Sequence, residues 1–224
     1  MLGAALACSQ LGPDLDSVVA IEIVLPDSGF LQVDDTLDPH ARPLNGRGDS
    51  VAATVYWGAL DTAVVALVDS ETGAAVGKTV GTGRIQARVG RLPSNPVTLV
   101  VQPPLDSIRA DGAVRDTVTG STSGALSDSL RVRVFATMPA GLTEAQTLVR
   151  RRVTYALLVF PSAGATVTLV PNDTIFTNTG GLAAVQVRLD AGAPPDSVRV
   201  TASAAQRDGT PVPDAVTFVV EFRP

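Results

Sequence analysis

Apolar and polar residues alternate with a period of two along most of the chain, and this constrains the fold more than any other feature of the sequence. In Gly83–Gly90, Ile85, Ala87 and Val89 fall on one face while Arg84, Gln86 and Arg88 fall on the other. Leu130, Val132 and Val134 oppose Arg131, Arg133 and Phe135; Val185, Val187 and Leu189 oppose Gln186 and Arg188. Val198, Val200 and Ala202 stand against Arg199, Thr201 and Ser203, and Phe218, Val220 and Phe222 against Thr217, Val219 and Glu221. A period of two gives each segment one buried face and one wet face, the pattern of antiparallel strands in sheets stacked in pairs. Turn-forming stretches punctuate them: Pro26-Asp27-Ser28-Gly29, Asn45-Gly46, Asp111-Gly112 and Asp208-Gly209. Only the stretch from Leu142 to Arg152 invites a helix, with Thr143 and Gln146 at capping-box spacing. No long amphipathic helix is expected elsewhere, which argues against alternating βαβ units and for β-sandwiches.

With 224 residues the chain has room for two domains. It is 45% hydrophobic but only 4% aromatic, so valine, leucine and alanine must fill the cores. The boundary is expected at Pro103-Pro104, because a proline pair cannot contribute donors to a ladder. Residues 1–16 then form a leader remnant and tether, 17–103 a first domain and 104–224 a second. A short, stiff diproline linker predicts domains held end to end.

Charge and composition exclude several functions. A net charge of −5 provides no basic field for a nucleic-acid backbone. One cysteine, Cys8, permits neither an internal disulfide nor a cysteine-built zinc site. The single histidine, His40, lies in a proline-flanked stretch with no nucleophile arranged beside it, which argues for a solvated edge rather than a general base. Gly77-Lys78-Thr79 imitates the end of a phosphate-binding loop. A true loop needs glycine five residues before Gly77, where Thr72 stands, and a helix afterwards, where Gly81, Gly83 and strand alternation follow. Turns are therefore expected there, with no nucleotide and no cofactor.

From Val18 to Gln102 the sequence resembles a bacterial immunoglobulin-like domain of the group-2 type. The resemblance lies in Trp57 on its strand, Val65-Ala66-Leu67-Val68-Asp69, the turn glycine Gly73, and the run Gly81-Thr82-Gly83-Arg84-Ile85-Gln86-Ala87. It departs at Asp34, where the family commonly has glycine. The second half resembles, more loosely, the group-1 domains of invasin-like surface proteins, through Thr177 to Ala183 and the alternating strands beyond. Ala5-Leu6-Ala7-Cys8 resembles a lipoprotein lipobox, with Ala5 where leucine is usual. The fold class these resemblances imply is all-β, two immunoglobulin-like β-sandwich domains in tandem. The function they imply is that of a non-catalytic, exported structural or adhesive module. It would lie at the cell surface or in the periplasm, anchored to a membrane by a lipid on Cys8, and would bind a protein or glycan partner. A carbohydrate-binding or accessory subunit of a larger envelope complex is the alternative, against which the small supply of aromatic rings argues.

Three further sets of residues are candidates for contact. Arg47, Gly48 and Asp49 begin the tetrapeptide RGDS, known as an integrin-binding sequence, on an expected loop; turn chemistry explains the same residues. Asp34, Asp35 and Asp38 offer oxygens to calcium, although strand alternation would split them between two faces, as befits solvated turn residues. Arg131, Arg133, Arg150, Arg151 and Arg152 offer a local basic strip, or else ordinary charged protection of strand edges.

Overall fold

The computed structural model describes residues 15–119, 122–136, 147–160 and 164–223. Cys8 with its lipobox, and the capping-box pair Thr143 and Gln146, lie outside the described residues. The chain divides into two compact units, Met1–Val101 and Gln102–Pro224. Among the described residues every regular element apart from a 3-10 turn at Pro26–Gly29 is a β-strand, and both units are immunoglobulin-like sandwiches.

In the first unit the strands are β1 (Val18–Val24), β2 (Phe30–Gln32), β3 (Thr36–Leu37), β4 (His40–Asn45), β5 (Tyr56–Ala59), β6 (Val65–Leu67), β7 (Ala75–Gly77), β8 (Gly81–Val89), β9 (Leu92–Pro93) and β10 (Val97–Gln102). Strand β1 pairs with β4, while β2, β10, β8 and β5 form a larger sheet with β9 added to β8. A third sheet has the order β3-β7-β6. Ile21, Leu31, Leu37, Val65, Ile85 and Leu99 come from all three sheets and meet in one core. That core also holds Trp57, which is 6% exposed.

Gly73 shows how tightly the turn before β7 is specified. Its φ of +84° lies in the left-handed region. A Cβ added there would also sit 2.5 Å from Cε2 of Trp57. Side chains of Asp69 and Thr72 organise the same turn: Asp69 Oδ1 accepts from the Glu71 N–H at 2.7 Å, and Thr72 Oγ1 accepts from Ala74 N–H at 3.4 Å. The turn therefore lays its backbone directly on the indole.

The second unit contains β11 (Leu105–Ala110), β12 (Arg115–Thr119), β13 (Leu130–Ala136), β14 (Arg152–Phe160), β15 (Thr166–Val170), β16 (Thr174–Phe176), β17 (Leu182–Ala191), β18 (Ser197–Ala204) and β19 (Val216–Arg223). One sheet has the order β11-β13-β17-β15 and the other β12-β19-β18-β14-β16. These are the two sheet orders of an immunoglobulin sandwich, with β12 running parallel to β19 along one edge. Alternation does what the sequence predicts: Val132, Val134, Val185, Val187, Val198, Val200, Phe218 and Val220 are all buried between the sheets. After β14 the chain crosses to the opposite sheet as β15. It then returns as the three-residue β16, which pairs only with Arg152–Thr154. The rest of β14 keeps β18 on one side and no described strand on the other.

Candidate functional site

Surface turns carry several of the residues singled out from sequence, and one of these turns, at Arg47–Asp49, is built by a device that the second unit repeats. At Asn45 the backbone N–H donates to the Asp49 carbonyl at 3.0 Å, and the Gly48 N–H returns a bond to the Asn45 carbonyl at 3.0 Å. Asn45 Oδ1 meanwhile accepts from the N–H groups of Arg47 and Asp49, both at 2.9 Å. Gly48 has φ +84°. This is a tight turn closed by a left-handed glycine, with an asparagine amide satisfying two inner donors.

Residues 178–182 of the second unit repeat it bond for bond. Asn178 N–H donates to the Leu182 carbonyl, Gly181 N–H donates to the Asn178 carbonyl, and Asn178 Oδ1 accepts from Gly180 and Leu182. Gly181 has φ +70°. The same architecture thus forms from Asn-Gly-Arg-Gly-Asp and from Asn-Thr-Gly-Gly-Leu. Turn chemistry alone accounts for the asparagine and for the central glycine of the RGD sequence. Residues 46–50 are exposed, and Arg47 is held by Asp16 at 2.6 Å. The loop is accessible and preorganised, with its arginine already engaged in an exposed ion pair.

Gly77-Lys78-Thr79 joins β7 to β8. Lys78 Nζ donates to the Thr62 carbonyl at 3.2 Å, and Thr79 Oγ1 donates to the Ala63 carbonyl at 2.9 Å. A nine-residue strand follows rather than a helix, so the backbone N–H groups enter a ladder instead of converging on a phosphate.

The three aspartates occupy a broken strand rather than a continuous one. Strand β2 ends at Gln32 and β3 begins at Thr36. Asp34 lies between them at φ +67°, the left-handed conformation that glycine adopts without steric cost and other residues adopt rarely. Asp34 N–H donates to the Gly77 carbonyl and the Asp35 carbonyl accepts from Gly77 N–H, which fastens this turn to the end of β7. Asp34 and Asp38 are exposed and Asp35 is half-buried. Among the described residues no group of three or more His, Cys, Asp or Glu side chains is placed to hold a metal ion.

The five arginines are distributed over both sheets of the second unit. Arg131 and Arg133, on β13, converge on Asp111: Arg133 Nη2 lies 3.1 Å from its Oδ1, and Arg131 Nε donates to its carbonyl at 3.1 Å. Arg150 lies over the Phe176 ring at 5.8 Å, Arg151 donates to the Pro103 carbonyl at 3.1 Å, and Arg152 opens β14 in the other sheet. Similar cations cover the exposed rings Tyr56 (Arg88, 5.1 Å) and Phe160 (Arg199, 5.5 Å). These rings already have one face in use.

Among the carboxylates, Asp61, Asp69, Asp190 and Asp208 are all held below the ordinary range. Hydrogen bonds from the Arg84 side chain lower Asp61, and backbone N–H groups of Glu71 and Thr72 lower Asp69. The Thr168 hydroxyl and then Arg188 lower Asp190, and the Thr210 N–H and hydroxyl lower Asp208. A general acid at neutral pH needs the opposite shift.

Two buried serines were not foreseen. Ser94 donates its N–H to the Ala87 carbonyl, while its hydroxyl accepts from Ala87 N–H at 3.1 Å and donates to the Asn95 carbonyl at 2.8 Å; Gln86 Nε2 caps the Ser94 carbonyl at 2.7 Å. Ser127 repeats all four bonds with Val187, Asp128 and Gln186. In each unit a serine thus closes a strand edge where regular pairing has stopped. The signal available in sequence was the matched pair Ile85-Gln86-Ala87-Arg88 and Val185-Gln186-Val187-Arg188.

No protein-family profile matches the chain, and no curated protein matches it. Among solved structures, the adhesin InvE of Yersinia pseudotuberculosis is similar at 18% identity and a TM-score of 0.38, covering 88% of this chain and 58% of that one. Domains 4 and 5 of the S-layer protein SbsC are similar at 14% identity and a TM-score of 0.33, covering 93% and 100%. The fibronectin(III)-like modules of Clostridium thermocellum CbhA are similar at 11% identity and a TM-score of 0.38, covering 90% and 94%. The strand orders given above, rather than these likenesses, identify the fold.

Proposed function

We propose that the protein is a non-catalytic structural or adhesive module of a bacterial surface, exported and anchored through a lipid on Cys8. In this reading the first unit is a group-2 immunoglobulin-like domain and the second an invasin-like one, with the boundary in the chain at Pro103-Pro104. The observation that carries it is the way polar groups are spent. The asparagine turns, the buried serines and the lowered aspartates each satisfy neighbouring backbone or a single arginine. Loops and strand edges are then the surfaces left to contact a protein or glycan partner.

Mass spectrometry of the protein purified from its native host tests the anchor: a diacyl- or triacyl-glyceryl Cys8 is expected, and an unmodified Met1 removes that part of the reading. Adhesion is tested by attachment of cells to immobilised protein. Asp49→Glu abolishes attachment if the Arg47–Asp49 loop is the contact, and equal attachment by both forms assigns adhesion to another surface. Turnover of a hydrolase substrate that disappears in a carboxylate variant would overturn the non-catalytic assignment.

A further inference from the structure

Strand β14 is open where β16 stops. Tyr155 N–H donates to the Asp173 carbonyl at 2.7 Å, which shows that odd-numbered residues of β14 direct their backbone groups away from β18. By the same alternation the N–H and C=O groups of Leu157 and Val159 face outward from the sheet, and no described strand pairs with them. The opposite sheet ends on this side with β15, so the two sheets frame a groove of about 580 Å3. That volume falls within the range of ligand-binding clefts.

The lining identifies the occupant. Leu157, Val167 and Leu169 supply apolar walls, and all three are only partly buried. Tyr155 lines the same groove and is 1% exposed, and its hydroxyl has no hydrogen-bond partner. Asp173, at one end, is the charged residue of the lining. The flanking edges contrast with this one. Strand β12 is short and carries Arg115 and Asp116, the usual protection against unwanted pairing, whereas Ala156–Phe160 carries no charge and leaves Leu158 52% exposed and Phe160 41% exposed.

We propose that this edge is a strand-addition site. It takes an extended segment of a partner polypeptide with apolar side chains at alternate positions and a basic residue at the end that meets Asp173. Backbone groups of the segment complete the ladder at Leu157 and Val159, and its alternate side chains enter the groove between β14 and β15. The site is independent of where the protein resides and of the lipid anchor.

The test uses the full chain and three fluorescein-labelled peptides, read by anisotropy. One alternates valine and threonine and ends in lysine, one has the same composition with its valines in a block, and one alternates but ends in glutamate. The alternating lysine peptide is expected to saturate and to bind at least tenfold more tightly than the blocked one. Val159→Pro removes an outward N–H without touching the β18 ladder and should weaken binding at least tenfold. Asp173→Lys should transfer the preference to the glutamate peptide. Amide exchange on the unmodified protein provides a readout that survives a variant failing to fold: the Leu157 and Val159 amides slow when the peptide is bound. Equal binding of alternating and blocked peptides overturns the proposal, as does no saturation by about 1 mM or no protection of those two amides. A dimer in sedimentation that the peptide dissolves would make a second copy the occupant and overturn the partner segment.

Discussion

The two units solve one folding problem with different materials. The second buries more than twice as many apolar residues in its described core as the first, and it does so largely with valines on long, regularly alternating strands. The first has shorter strands split among three sheets and concentrates its packing on Trp57, with the Gly73 turn pressed against the ring. A sandwich can therefore be filled diffusely or around one large side chain, and the two strategies should fail differently. Polar chemistry points the other way, because the asparagine turn and the buried serine are the same in both units.

Calorimetry of single variants can break that comparison or sharpen it. The largest effect belongs to Trp57→Ala, which should cost about 3–5 kcal/mol and displace only the transition of the first unit. Phe218→Ala should cost a similar amount in the second unit and leave a larger remainder of core intact. A single transition moved equally by both would show that the units do not melt separately. Gly73→Ala and Gly209→Ala come next. Both glycines are left-handed, at φ +84° and +90°, but a Cβ at Gly209 meets nothing within 4 Å. The expected costs are about 2–4 kcal/mol for Gly73, where strain and ring contact add, and about 1–2 kcal/mol for Gly209, where strain acts alone.

Ser94→Ala and Ser127→Ala test the shared serine. Each strands one backbone N–H, of Ala87 or of Val187, and each should cost about 1–3 kcal/mol in its own unit. A loss in one unit and none in the other would mean that the four matching bonds are not equivalent. The smallest effects are in acid. Asp69 and Asp208 have lowered pKa values in the folded state, so each adds stability above its unfolded value of about 3.9 and loses it as the pH falls through the folded value. Asp69→Asn should flatten the acid side of the pH profile for the first unit only, and Asp208→Asn for the second only, in melting measured from about pH 5 down to pH 2.

Much of the sandwich was legible because alternation is a local signal. The faces of the strands around Ile85, Val132, Val187, Val200 and Val220 follow directly from neighbouring residues. The edge of β14 was not legible, since Ala156–Phe160 reads as a continuous apolar run and only the crossover to β15 shows which side is uncovered. The arginines illustrate the same limit. Arg133 and Arg152 look like parts of one strip along the chain, yet sheet membership, which no local pattern encodes, assigns them to different sheets. The serines were signalled only indirectly, by the matched runs around Gln86 and Gln186, because nothing beside Ser94 or Ser127 in the chain shows which strand each one meets. The Arg47–Asp49 turn was legible in outline, and it shares the spacing Asn-x-x-Gly with Asn178–Gly181, although that short pattern does not by itself reveal the matching bonds.

Trp57 has a practical consequence. It is the protein's only tryptophan, and it lies under the Gly73 backbone in the first unit. Emission excited at the red edge of indole absorption therefore reports on that unit alone, while the second unit is silent in the same channel. The molecule carries an optical label on one half without modification. Stopped-flow fluorescence follows the first unit, and circular dichroism of the same sample follows both.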